Sequence, residues 1–160
     1  MLPLAVSWKS SGQAARGFYH PEEERLVVCP REAAPFHSYV DAGCVQIDLD
    51  ADGHFIGLAV DAAREIWPVE GDLWAPRVAI PATVRFRSRA LTLGAAHLAT
   101  DPDRLWLRID LAPPAASHVI EPCENVAFEV SGGRLIRIWI LSIQEDYGGR
   151  QLRAWRGRLN

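Results

Sequence analysis

The chain has 160 residues, 49% of them hydrophobic and 23% charged, with a formal net charge of -3. That length suits one compact domain, the composition is too apolar for a disordered chain, and no stretch approaches the roughly 18 uninterrupted apolar residues of a membrane-spanning helix. Three cysteines without a Cys-x-x-Cys pair exclude a dense disulfide framework and a thiolate-rich zinc site, and point to buried thiols in a reducing cytoplasm.

In chain order, the N-terminal MLPLAVSWKSSG has a short apolar run broken by Pro3 and lacks the basic leader and long apolar core of a signal peptide, so a cytoplasmic protein is expected. Alternating Val6 and Trp8 predict a strand over 4–8, and a second strand is expected over 26–29. Val45, Ile47 and Leu49 alternate with Gln46, Asp48 and Asp50, the period of a half-buried strand. Asp52-Gly53 then supplies a tight turn, and residues 55–60 return as the partner strand. Residues 61–66 could form one or two helical turns, stopped by Trp67-Pro68. The segment 67–80 holds Pro68, Gly71, Pro76 and two tryptophans, which suits a rigid packed connector.

Further strands are expected over 78–88 and 105–109, the first with a bulge, break or edge position at Pro81, which lacks an N–H for a ladder bond. Val126, Phe128 and Val130 alternate, Ser131-Gly132-Gly133 turns the chain, and residues 135–140 return. Beyond Gly148-Gly149 the tail RQLRAWRGRLN either anchors a helical turn through Leu152 and Trp155 or is disordered.

Internal repetition organises these elements. Arg25-Leu26-Val27-Val28 recurs as Arg104-Leu105-Trp106-Leu107, with Val40 meeting Val119 and Cys44 meeting Cys123 at the same offset. The hairpins over 45–60 and 126–140 then match once Glu124 and Asn125 are treated as inserted and one turn residue as removed. Upstream, Val6 and Trp8 match Val84 and Phe86. The expected architecture is mainly β: two related antiparallel β units packed as one compact domain, with at most short helices. The units fall at 1–66 and 80–143, joined by the Pro/Trp-rich connector 67–80 and followed by an Arg-rich extension over 144–160.

The order Asp103-Arg104-Leu105-Trp106-Leu107, Val119-Ile120-Glu121, the strand 126–130, a Gly turn and Leu135-Ile136-Arg137-Ile138 resembles a widespread bacterial family of short uncharacterised β-rich domains, here in tandem. In that family a strand, an acidic or Gly hairpin and a strand ending in Gly-Ile-Glu-Ile follow one another. The first unit keeps Asp48 to Gly53 and Ile56-Gly57-Leu58 but has Ala59 where the pattern favours Glu, and the second has Trp139 there. The resemblance implies a repeated β architecture and carries over no reaction or ligand.

Asp48-x-Asp50-x-Asp52-Gly53 copies the first half of a calcium loop, yet the position for the closing bidentate Glu is Ala59 within a strand, so it reads as a solvated turn. His20, His37, His54, His97 and His118 form no short metal-ligand motif. Cys44 and Cys123 follow His37 and His118 by seven and five residues, a linear order that does not establish a nucleophile and its base. No catalytic, cofactor-binding or metal residue is assigned.

Charge is divided unevenly. Residues 1–80 carry 6 Lys+Arg against 12 Asp+Glu, and residues 81–160 carry 11 Arg against 8 Asp+Glu. Strand alternation puts Arg85, Arg87 and Arg89 on one face. With Arg134, Arg137, Arg150, Arg153, Arg156 and Arg158 they form the candidate contacts for nucleic acid or an acidic partner. The leading functional expectation is a noncatalytic protein-interaction or assembly protein, a homodimer or small homo-oligomer with no membrane role. Nucleic-acid binding by the Arg-rich second half ranks behind it, as does a small enzyme or ligand carrier with a pocket between the units.

Overall fold

The computed structural model describes residues 2–8, 13–32, 34–77, 79–87 and 91–157. Along it run β1 (Leu2–Ser7), β2 (Ala15–His20), β3 (Arg25–Pro30), β4 (Ser38–Ala42), β5 (Val45–Leu49), β6 (Phe55–Asp61), β7 (Ile80–Pro81), β8 (Thr83–Phe86), β9 (Leu91–Thr92), β10 (His97–Thr100), β11 (Leu107–Asp110), β12 (His118–Cys123), β13 (Val126–Ser131), β14 (Arg134–Ile140), β15 (Ile143–Glu145) and the α-helix α1 (Arg150–Gly157). The expected helical turns over 61–66 reduce to a 3-10 turn at Arg64–Ile66 that ends at Trp67. The strand expected over 105–109 starts later, at Leu107, because the Asp101 carboxylate accepts the Leu105 and Trp106 N–H groups and holds both residues in a loop. Pro81 sits on an edge strand that breaks at Ala82, whose N–H goes to Glu121 instead. Val78 and Ser88 lie outside the described residues.

The strands form two sheets. One has the order β10-β11-β14-β13-β12-β7, with β1 against β14 and β8 against β1; the other has the order β15-β2-β3-β6-β5-β4-β9. Within them β2 to β6 and β10 to β14 take the same spatial order: first, second, fifth, fourth, third strand. The expected two related β units packed as one domain are therefore present. Their inner faces meet in one core, where Phe128 of β13 packs edge-on against Phe55 of β6 at 5.2 Å and against Phe86 of β8 at 6.2 Å.

Register changes how the halves correspond. Gly43 and Cys44 form the two-residue link between paired Ala42 and Val45, and Glu124 and Asn125 form the link between paired Cys123 and Val126. Ala42 thus matches Cys123, an offset of 81 residues (42 to 123), and nothing is inserted. Cys44 is a turn residue matching Asn125. Leu26 opposite Val60 likewise corresponds to Leu107 opposite Ile140, not to Leu105. A slip of two residues leaves every side chain on its original face, so alternation alone cannot separate an offset of 79 from one of 81.

Val6 and Val84 are direct cross-strand partners in the antiparallel β1–β8 pair. The matching positions there are Leu4, whose N–H donates to Gly133 O, and Phe86, whose N–H donates to Gly53 O.

Each half also covers the other. After β6 the chain crosses so that Val69 bridges Thr100 of β10 in parallel, and Leu73 packs with Ala99, Ala127 and Trp139 on the outer face of that sheet. After β14 the chain crosses back, and β15 runs parallel to β2. Gly17 of β2 permits this approach, since a Cβ there would stand 3.2 Å from Ile140 and 3.4 Å from Ser142 O. The tail, which the sequence left as helical or disordered, is helical through Gly157. Asp146, fully buried, accepts the N–H groups of Gln151 and Leu152 at 2.6 and 3.1 Å and so caps α1. Trp155 is buried beneath the guanidinium groups of Arg16 and Arg31, at 4.2 and 5.1 Å from the ring.

The turn of the first hairpin yields a test. Gly53 has φ +85, and a Cβ there would stand 2.6 Å from Phe86 O, whereas Gly133, at φ +72, faces open space. Gly53→Ala is expected to cost about 1–3 kcal/mol and lower Tm by roughly 3–10 °C, with a smaller loss for Gly133→Ala. Thermal unfolding followed by circular dichroism checks both, and equal losses would contradict the contact.

Candidate functional site

The nine candidate arginines separate into three settings. Arg89 and Arg158 lie outside the described residues. Arg137, on the outer face of its sheet, donates from Nε to Asp110 Oδ1 at 2.6 Å and from Nη1 to Glu129 Oε2 at 3.3 Å. Glu129, Arg137 and Asp110 face one another across β13, β14 and β11. The row extends on both sides: Trp139 Nε1 donates to Glu129, and Arg108 contacts Asp110 and grips Glu70 through two nitrogens at 3.0 and 3.1 Å. Burial works against the charge of Arg108, but Glu70 and Asp110 outweigh it and hold the guanidinium above its ordinary pKa. This network fastens the connector to the sheet through Glu70. It was not legible in the sequence because its members come from four separate segments.

Arg150, Arg153 and Arg156 sit exposed on α1, and Arg156 Nη2 reaches Cys29 Sγ at 3.5 Å. The arginines that seat this helix, Arg16 and Arg31, belong to the acidic half and were not singled out by the sequence.

The third setting is a shared surface. Leu2 and Leu4 of β1 point into the core opposite Leu135 and Phe86, so Pro3 and Ala5 face outward. Pro3 pairs with Arg134 of β14 on one side, and on the other its carbonyl accepts the Arg87 N–H, while Ala5 pairs with Arg85. Cross-strand partners share a face. Arg134, Arg87 and Arg85 therefore stand together around a low floor of Pro3 and Ala5, and all three are exposed. Ser131 continues the row beyond Arg134. Among the described residues neither Arg85 nor Arg87 has an ion-pair partner. A cavity of about 360 Å³ adjoins Arg85, lined also by Asp52, His54, Ser7 and Thr83.

Asp50, Asp52 and His54 have ligand atoms within 4.8 Å of one another. The sequence did not bring His54 to the aspartates, because the grouping depends on the turn closing through Asp50 Oδ1, which accepts the N–H groups of both Asp52 and His54. Asp48 stays out of the group and bonds to Gln46. One carboxylate is thus engaged by the backbone, and three donors are one short of a tetrahedral structural zinc set.

The thiols are placed for packing. Burial raises all three, pushing Cys123 up to about 12 with help from Glu121 and Glu124; at Cys29 the Arg156 charge opposes the rise. No hydrogen bond joins a cysteine to a histidine among the described residues. His118 instead lies against the Trp8 ring at 5.8 Å. The buried carboxylates Asp101 and Asp146 are committed to backbone N–H groups. Where the halves meet at β2 and β15, a cavity of about 390 Å³ is lined by Arg16, Glu124, Asn125 and Gln144, with Asn125 Nδ2 donating to Ala15 O. No protein-family model and no curated protein sequence matches the chain.

The Cys123 thiol makes stability pH-dependent. Its folded pKa lies above the ordinary value of 9.0, so its contribution is full below about pH 9 and is lost as pH rises toward about 12. Unfolding free energies from urea titrations between pH 8 and 11 should fall more steeply for the wild type than for Cys123→Ala, by up to roughly 1.4 kcal/mol per pH unit. Parallel slopes would contradict a buried neutral thiol.

Proposed function

We propose that the protein is a noncatalytic protein-interaction or assembly module that forms a homodimer or small homo-oligomer in the cytoplasm. The observation that carries this reading is the set of large apolar side chains left in solvent beside a completed core: Ile66 is 72% exposed, Trp74 71% and Tyr147 60%. Ile66 and Leu105 flank a reciprocal link in which Arg64 Nη2 donates to Arg104 O and Arg104 Nε donates to Arg64 O. The buried carboxylates Asp101 and Asp146 are engaged by backbone N–H groups, and Glu70, Asp110 and Glu129 by the outer-face ion network.

The internal repeat and the kinship with the bacterial family of tandem β-rich domains belong to the same proposal. Their support is the equal strand order of the halves and the paired hairpins at 45–60 and 126–140. A second reading, binding of nucleic acid, is favoured by one observation: Arg85, Arg87 and Arg134 share an exposed face. It predicts oligonucleotide affinity that falls steeply with salt.

Light scattering over a dilution series tests the assembly reading. The expected result is a mass above 17.7 kDa that declines on dilution, and a weaker association for Ile66→Asp. A constant 17.7 kDa across concentrations rejects it.

A further inference from the structure

We propose that the arginine row on β14-β1-β8 receives the β2–β3 turn of a second copy of this chain, in a head-to-tail contact. The inference rests on the assembly reading and specifies its interface. The turn is Pro21-Glu22-Glu23-Glu24, three consecutive exposed glutamates, with Glu24 at φ 51. Glu22 accepts the Gly148 N–H at 2.9 Å, which places exposed Tyr147 next to the acidic tip. Among the described residues Glu23 and Glu24 have no ion-pair partner.

The charges of the two ends are complementary. The row offers Arg85, Arg87 and Arg134 around the apolar floor of Pro3 and Ala5, while the turn offers carboxylates beside an aromatic ring. A guanidinium binds carboxylate through two nitrogens and also stacks on an aromatic face. The ends cannot meet within one molecule. Arg25, which closes the glutamate turn, pairs with Asp61 at one end of β6, and Arg85 bridges His54 at the other, about 20 Å away at strand spacing. Contact between unlike patches is heterologous, and it produces rings or open chains of molecules.

A polynucleotide fits the row less well. Asp52 and His54 border Arg85, so carboxylate stands beside the row where a continuing phosphate backbone would run. The floor carries no ring on which a base would stack.

The experiment measures mass by sedimentation velocity at low and high salt for the wild type, for Arg85→Glu/Arg87→Glu, for Glu23→Arg/Glu24→Arg, and for their equimolar mixture. Circular dichroism checks folding, with the Gln replacements at the same positions as milder substitutes. Expected are association of the wild type that salt weakens, monomers for each reversed variant alone, and recovery in the mixture, where each reversed row faces a reversed turn. Association that neither reversal changes would overturn this interface and leave the assembly reading standing. A monomeric wild type at every concentration would overturn both. Loss in each variant without recovery in the mixture would show that row and turn do not face each other. A monomeric wild type that binds a poly-glutamate peptide, or an oligonucleotide, through Arg85 would assign the row to a different partner.

Discussion

The fold depends on the antiparallel pairing of β1 with β8. Leu4 and Phe86, opposite one another in that ladder, each donate a backbone N–H to a hairpin-turn glycine, Gly133 and Gly53 respectively. The two strands thus form a ribbon that ties the turn of one sheet to the turn of the other. Its inner side chains enter the common core, where Phe86 meets Phe128. A lone hairpin of the kind found at 45–60 or 126–140 is marginal in water. Each becomes stable here because the ribbon holds it over its counterpart.

Exchange of the connecting segments completes what the ribbon begins. A sheet with one face on the core would leave Trp139 and Ala127 of one half, and Phe18 and Cys29 of the other, in water. The segment after β6 covers the first pair with Leu73, and α1 meets the sheet face that carries the second, with Trp155 against Arg16 and Arg156 against Cys29. Each cover is fastened by charge at its margin: Glu70 held by Arg108, and Asp146 capping the helix. Much of the ionic chemistry therefore serves construction. Among the described residues, Arg85 and Arg87 and the apolar residues near Arg64 face solvent without such ion pairs, and an interaction surface has room there.

The two central hairpins were legible because their apolar residues alternate strictly and their turns contain Asp-Gly or Gly-Gly. The same alternation concealed the register, since a two-residue slip preserves the pattern, and the recurrence of Arg-Leu and the position of Cys44 and Cys123 drew the correspondence to the wrong offset. β2 was missed for another reason. Ala-Arg-Gly-Phe-Tyr-His is buried on both faces, by the core at Tyr19 and beneath α1 at Phe18, and so shows no period of two. Strand alternation did place Arg85 and Arg87 on one face. That Arg134 joins them depended on Pro3 lying between β14 and β8, a contact between segments more than a hundred residues apart that no local pattern encodes.

If each half completes the other, neither sheet should be able to open alone. Native-state hydrogen exchange read at the amides of β3 and β6 and at those of β11 and β14 tests this most directly. The expected result is one common opening free energy for both sheets, lowered equally in both by Asp146→Ala, which removes the cap of α1. Opening of one sheet at a distinctly lower free energy while the other keeps its protection would contradict the account.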